Sequence, residues 1–160
     1  MSTTHRKVSV LFVCLGNICR SPMAEAVFAH LVALNGLQHR FETIASAGTA
    51  AYHVDEEPDP RTVAVCKRHN VPVNSVAQQV QLSDFDTFDY ILAMDTSNLR
   101  NLREMQPPQS KAQGQHLDHY HSPHRALRPC QSTLEFLDSL TFASGLPFSR
   151  GLLESSQVIR

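Results

Sequence analysis

The first strong pattern along the chain is an almost unbroken apolar run, Val8-Ser-Val-Leu-Phe-Val13. It is short and rich in β-branched residues, which predicts a strand covered on both faces. After a polar loop, Met23, Val27, Leu31 and Leu34 recur at three- or four-residue spacing and predict the buried face of a helix. Ser21 suits the N-cap of that helix and Pro22 its first position, while Asn35-Gly36 closes it with a glycine able to take left-handed geometry. Phe41-Glu-Thr-Ile-Ala-Ser46 reads as a second strand, ended by Gly48. Asp59-Pro60 reads as a cap followed by proline, with a short helix from Thr62 to His69 that stops at Asn70. Asp89-Tyr-Ile-Leu-Ala-Met94 reads as a third strand. Asp95 or Thr96 then caps a helix carrying Leu99, Leu102 and Met105, which ends before Pro107-Pro108. Strands alternating with helices predict an α/β fold, an open parallel sheet flanked by helices with right-handed crossovers.

The chemistry sits in the first connection. Cys14-Leu-Gly-Asn-Ile-Cys-Arg20-Ser21 lies at a strand's carboxyl end and a helix's amino end, where ligands bind in open α/β sheets. Free N–H groups converge there and the helix dipole favours negative charge. A thiol at a helix N-terminus or beside arginine can have its pKa lowered from about 8.5 to roughly 3.5–7.5, which would make Cys14 a thiolate nucleophile at neutral pH. Arg20 can grip two phosphate oxygens in a bidentate fork. Leu15, Gly16, Asn17, Ile18 and Cys19 would supply the anion cradle, and Gly16 and Asn17 tolerate positive φ. Ser21 could donate its hydroxyl to the sulfur, a role that competes with capping. The bland alternative is a buried structural cysteine with a surface arginine nearby. A Cys-x5-Arg spacing alone does not decide between them; the strand, serine, proline and helix around it favour the anion site.

These residues and their flanks, Val-Leu-Phe-Val-Cys14 through Arg20-Ser-Pro-Met-Ala-Glu-Ala-Val-Phe28, resemble the signature of the low-molecular-weight protein tyrosine phosphatases. The likeness continues through Ser46-Ala-Gly-Thr49, Tyr52-His-Val54, Pro58-Asp-Pro-Arg61, Phe85 to Tyr90 and Ile91-Leu-Ala-Met-Asp95-Thr-Ser-Asn-Leu-Arg100. It is closest in wording to fungal members and covers residues 7 to about 112. The resemblance implies hydrolysis of phosphotyrosine proteins or small aryl phosphates through a phosphocysteine, with no metal and no cofactor. It also implies a reversible Cys14–Cys19 disulfide; a loop-filling role for Cys19 stays equally open. Asp95, at a strand's carboxyl end, could orient Arg20, cap the following helix, or do both. Tyr52 could line a pocket for a substrate ring or be an ordinary surface tyrosine.

After Ala112 the likeness stops. Members of the family continue with another strand, an Asp-Pro-aromatic-Tyr loop holding the general acid, and a closing helix. Here Gln113 to Arg125 has no strand pattern and no Asp-Pro dipeptide. The chain therefore divides into a phosphatase-like domain, 1–112, and a divergent segment, 113–160, in which Leu134, Leu137 and Leu140 have helical spacing. A shifted reading frame, a retained intron or an alternative exon would each produce such a break. Asp118 and Asp138 are the nearest acidic residues, and neither lies in the family's context, so the general acid is unassigned. Without one, expulsion of a phenolate with a conjugate-acid pKa of about 10 is expected to be slow.

Composition narrows the field. A chain of 160 residues is long enough for a sizeable core. With 14 Lys and Arg against 15 Asp and Glu, net charge is near zero, which excludes the usual footprint of a nucleic-acid or membrane-surface binder. The polar start, Met1 to Lys7, lacks a signal-peptide pattern, and a cytoplasmic protein is expected. The four cysteines, 14, 19, 66 and 130, match no zinc spacing; Cys66 reads as helix packing. His116, His119, His121 and His124 cluster around Pro123 without a partner carboxylate pattern and read as loop composition. Other classes remain: a non-catalytic phosphate or phosphotyrosine binder, a thiol-dependent arsenate reductase (disfavoured because Cys66 and Cys130 are not a close pair), or a product that folds poorly.

Overall fold

The computed structural model describes residues 6–110. The divergent segment 113–160, with Asp118, Asp138, Cys130, the histidine cluster and the leucines after 130, lies outside the described residues, as do residues 1–5.

Among the described residues, strand β1 (Val8–Cys14) lies between its two partners in a parallel sheet of order β2-β1-β3, with β2 (Phe41–Gly48) on one side and β3 (Tyr90–Ala93) on the other. Val13 pairs with Ala47 and with Ala93, and Cys14 pairs with Gly48. The chain leaves β1 through helix α1 (Arg20–Leu34) to reach β2. It then passes through α2 (Pro60–Arg68) and the short α3 (Asp84–Thr87) to β3 on the opposite side, and α4 (Thr96–Met105) follows. The carboxyl end of β1 is thus the switch point at which neighbouring strands diverge, the usual place for a ligand crevice.

Alternation along β1 assigns its two faces. Phe12 meets Phe28 of α1 edge-on at 5.5 Å, and Phe28 meets Phe41 at 5.3 Å. Leu11 and Val13 point the other way, into a core with Ala47, Val80, Phe85, Phe88, Ile91 and Leu102. Burial on both faces explains why β1 reads as continuously apolar. Among the described residues, no helix is long and apolar enough to cross a membrane.

Three details differ from the sequence expectation. Helix α1 begins at Arg20 with Cys19 as its N-cap, not at Ser21 and Pro22. The Cys19 carbonyl already accepts the Met23 N–H at 3.3 Å, so Pro22 falls in the first turn, where its missing N–H is still harmless. The buried face of α1 runs through Met23, Ala24, Phe28 and Val32, while Leu34 is exposed; small alanines against the sheet and one large ring replace the predicted aliphatic stripe. The one-turn α3 and a 3₁₀ turn at Gln38–Arg40 are too short for periodicity to reveal. The end of α1 is as expected. Gly36 has φ 66°, its N–H bonds to the Ala33 carbonyl and that of Leu37 to Val32, a Schellman closure.

Candidate active site

Loop 14–20 is held from outside by its carbonyls. The N–H of Thr49 donates to the Cys14 carbonyl at 2.9 Å, Ala50 to Leu15 at 2.9 Å, and Asp59 to Ile18 at 2.7 Å. With these oxygens turned outward, the peptide N–H groups are left for the interior of the loop. Among the described residues, those of Gly16, Ile18 and Cys19 meet no acceptor. That of Asn17 points to Cys14 Sγ at 3.3 Å. The arrangement is a concave set of donors at the start of α1, suited to an anion.

Asn17 is the keystone of this loop. Its φ of 55° turns the chain through the left-handed region that asparagine tolerates. Its side chain, 1 % exposed, is fully oriented by its partners. The Gln78 backbone N–H can only donate, so the oxygen 2.9 Å away is Oδ1. Nδ2 is then free to donate to Ser21 Oγ and to Ser46 Oγ, both at 2.9 Å. Ser46 in turn donates to Glu25 Oε2 at 2.5 Å. Burial raises the Glu25 carboxyl above its ordinary value, and the Ser46 hydroxyl offsets part of that rise.

Cys14, 4 % exposed, lies 3.0 Å from Ser21 Oγ. Because Ser21 accepts from Asn17, its own proton is available, with the Ala47 carbonyl at 3.3 Å as the only competing acceptor among the described residues. The sulfur lies nearer to the Ser21 hydroxyl than that carbonyl does. Ser21 therefore faces the sulfur and does not cap α1, whose N-cap makes no side-chain bond.

Arg20 opens α1 and reaches Asp95 at the carboxyl end of β3, with Nη1 2.5 Å from Oδ2. The other oxygen, Oδ1, accepts the Asn98 N–H at 2.8 Å and caps α4. Burial would raise the Asp95 carboxyl, but the Arg20 guanidinium and the Asn98 amide together outweigh it and hold the group below its ordinary 3.8. Cap and guanidinium partner are thus the same residue.

Cys14, Cys19 and Cys66 are all free thiols. The Cys19 sulfur accepts from Thr62 Oγ1 at 3.3 Å, so it rests against the first turn of α2. Asp59 caps that helix through Arg61 N at 2.8 Å. The Arg61 side chain, followed by its backbone amide, lowers the Asp59 carboxyl to about 2. Cys66 is buried in α2 as expected.

Gly16 corrects an expectation. It does not adopt positive φ; its lack of a side chain makes room for the His53 ring, whose Cδ2 would lie 2.9 Å from a Cβ there. Gly48 is bound more tightly still, since a Cβ would lie 2.7 Å from the Leu15 carbonyl oxygen. Tyr52 is 73 % exposed, adjacent in sequence to the residue that touches the loop. Ser46, Gln78, Glu25, Thr62, His53 and Glu56 were not singled out from the sequence, because their link to the loop exists only through long-range contacts. The local hints were the stretches of family likeness that contain Glu25, Ser46 and His53.

The profile of the family described as low molecular weight phosphotyrosine protein phosphatase matches residues 9–128, a span that runs past Ala112. A low molecular weight phosphotyrosine protein phosphatase of Saccharomyces cerevisiae is 52 % identical over 112 residues, covering 70 % of each chain. That of Schizosaccharomyces pombe is 52 % identical over 118 residues, covering 74 % of this chain and 76 % of the relative. Among solved structures, a protein tyrosine phosphatase from Entamoeba histolytica superposes with a TM-score of 0.70 at 31 % identity, covering 87 % of this chain and 99 % of that one.

Proposed function

Because the chain belongs to the low-molecular-weight phosphotyrosine protein phosphatase family, we propose that it hydrolyses phosphotyrosine and small aryl phosphates through a phosphocysteine on Cys14. The observation that carries this reading is the sulfur itself. Cys14 Sγ sits at the base of a donor-lined loop, 3.0 Å from Ser21 Oγ and 3.3 Å from the Asn17 N–H, with Arg20 at the start of the same helix. The thiolate attacks phosphorus; the loop N–H groups and Arg20 hold the charge on the equatorial oxygens as the aryl oxygen departs. Water then attacks the phosphocysteine and restores the thiolate. The positive field comes from backbone donors and one guanidinium, so the reaction as proposed calls on no metal and no cofactor.

The finer part of the proposal concerns the leaving group. The sequence after Ala112 holds no Asp-Pro dipeptide, and a positioned acid contributes roughly 10²–10⁴-fold. Turnover of phosphotyrosine is therefore expected to be slowed more than that of p-nitrophenyl phosphate, whose phenolate leaves without help. Tyr52 flanks the substrate ring in this reading, and the protein acts in the cytoplasm on phosphotyrosine proteins. Steady-state kinetics on both substrates, with Cys14→Ser as control, test the proposal. Activity lost in Cys14→Ser, with a marked preference for p-nitrophenyl phosphate in the parent, supports it. Equal rates on both substrates would refute the leaving-group argument, and activity surviving in Cys14→Ser would refute the nucleophile.

A further inference from the structure

His53 and Glu56 form a carboxylate–imidazole pair beside the loop that nothing in the mechanism above uses. His53 Nδ1 lies 2.8 Å from Glu56 Oε2, and the Glu56 N–H donates back to the His53 carbonyl at 2.9 Å. A carboxylate at Nδ1 keeps the proton on that nitrogen and leaves Nε2 to exchange protons. The ring turns its Cδ2–Nε2 edge toward the anion loop: a Cβ on Gly16 would lie 2.9 Å from Cδ2 and 3.7 Å from Nε2. The segment that carries the pair is anchored. Thr49 and Ala50 hang from the Cys14 and Leu15 carbonyls, Asp55 N–H donates to Ala77 O at 2.8 Å, and Ala77 N–H donates to Glu56 O at 2.9 Å. The imidazole remains open to a ligand, with its side chain 36 % exposed.

A titratable ring held by a carboxylate, touching the residue two positions from the nucleophile, has the makings of a general acid and base. We propose that His53, oriented by Glu56, stands in partly for the missing acid, so that phosphotyrosine is still turned over, more slowly than p-nitrophenyl phosphate, and loss of the ring widens that gap. The proposal rests on the phosphocysteine reading above. As the Cys14 Sγ–P bond forms and the P–O(aryl) bond breaks, Nε2–H passes its proton to the aryl oxygen. Neutral Nε2 then takes a proton from the water whose oxygen attacks phosphorus as the S–P bond breaks. Inorganic phosphate leaves, and the thiolate and the protonated ring are both restored.

Dependence on the leaving group tests this without relying on a single rate. For His53→Gln, phosphotyrosine turnover is expected to fall by about 10²-fold, with little change on p-nitrophenyl phosphate. Glu56→Gln shifts the same ratio in the same direction to a smaller extent. Equal falls on both substrates, or no fall on either, in protein that still melts cooperatively would overturn the assignment. Should His53→Gln not fold, Glu56→Gln alone decides by the same ratio. Failure of the parent to form phosphocysteine with either substrate would instead overturn the phosphatase reading, and this assignment with it.

Discussion

Asp95 divides its carboxylate between two tasks: Oδ2 holds Arg20 Nη1 at 2.5 Å, and Oδ1 holds the Asn98 N–H at 2.8 Å. The residue thereby ties the guanidinium at one end of the anion loop to the first turn of α4. Both bonds favour the charged form, and the folded carboxyl sits below 3.8. Its contribution to stability is present above the unfolded value and is lost as pH falls through the depressed folded one.

Substitution separates the two tasks. Asp95→Asn keeps a capping oxygen and removes the negative charge that faces Arg20, a partly exposed pair worth little to stability, so the melting temperature should change little. With Arg20 misplaced, kcat/KM on p-nitrophenyl phosphate should fall by roughly 10²-fold. Asp95→Ala loses the cap as well, a further cost of about 1 kcal/mol. Urea melts with parallel kinetics on both variants check this; an Asp95→Asn variant with full activity would show that Arg20 is positioned by other means.

Ser21→Ala removes the hydroxyl donor to Cys14 and leaves Asn17 Nδ2 with one acceptor fewer. The expected result is a slower reaction of Cys14 with iodoacetate at neutral pH and a kcat lowered by about 10²-fold. Loss of the Asn17 partner in a buried site should also destabilise the fold by about 1–3 kcal/mol. Unchanged alkylation would mean that the Ser21 proton goes to the Ala47 carbonyl and not to the sulfur.

Gly48→Ala drives a methyl into the Leu15 carbonyl oxygen at 2.7 Å, with the Ala50 carbonyl and Gly16 carbon at 3.1 Å. All three neighbours are backbone, so the loop itself must shift. A loss of about 1–3 kcal/mol and a raised KM for aryl phosphates are expected from thermal melts and kinetics; a variant with the parent's stability and KM would show that the loop tolerates displacement.

Much of this fold was legible in the chain because local signals agreed. The run from Val8 to Val13, the Asp59-Pro60 cap, the Asn35-Gly36 closure and the Leu99–Leu102–Met105 spacing each specify an element from a few adjacent residues. Cys14, Arg20 and Asp95 could be placed at strand and helix ends for the same reason. What stayed hidden depends on contacts across 29 to 61 positions: Asn17 with Ser46 and Gln78, and Thr62 with Cys19 across 43. Gly16 was legible as a loop glycine, but the His53 ring that requires it was not. Ser21 misled the capping rule because a buried sulfur and an asparagine amide claimed its hydroxyl first.

Glu25 offers a pH test of the support beneath the loop. Its carboxyl is raised by burial above 4.5, with the Ser46 hydroxyl pulling the other way. A carboxyl raised on folding contributes stability below its unfolded value, and that contribution is lost as pH rises through the folded one. Glu25→Gln keeps an oxygen for Ser46 and removes the half-buried charge. It should therefore be more stable than the parent at pH 7, with the difference shrinking as pH falls through the raised folded value. Urea melts across that range check the sign; an advantage that grows toward low pH would contradict it.

The central claim is that phosphate passes through the Cys14 sulfur, and rapid quenching tests it most directly. Protein mixed with ³²P-labelled p-nitrophenyl phosphate and denatured within the first turnover should carry label on the peptide containing Cys14. The label should be absent in Cys14→Ser and should chase with unlabelled substrate. Turnover by the parent with no labelled peptide, or with label on any other residue, would contradict the account.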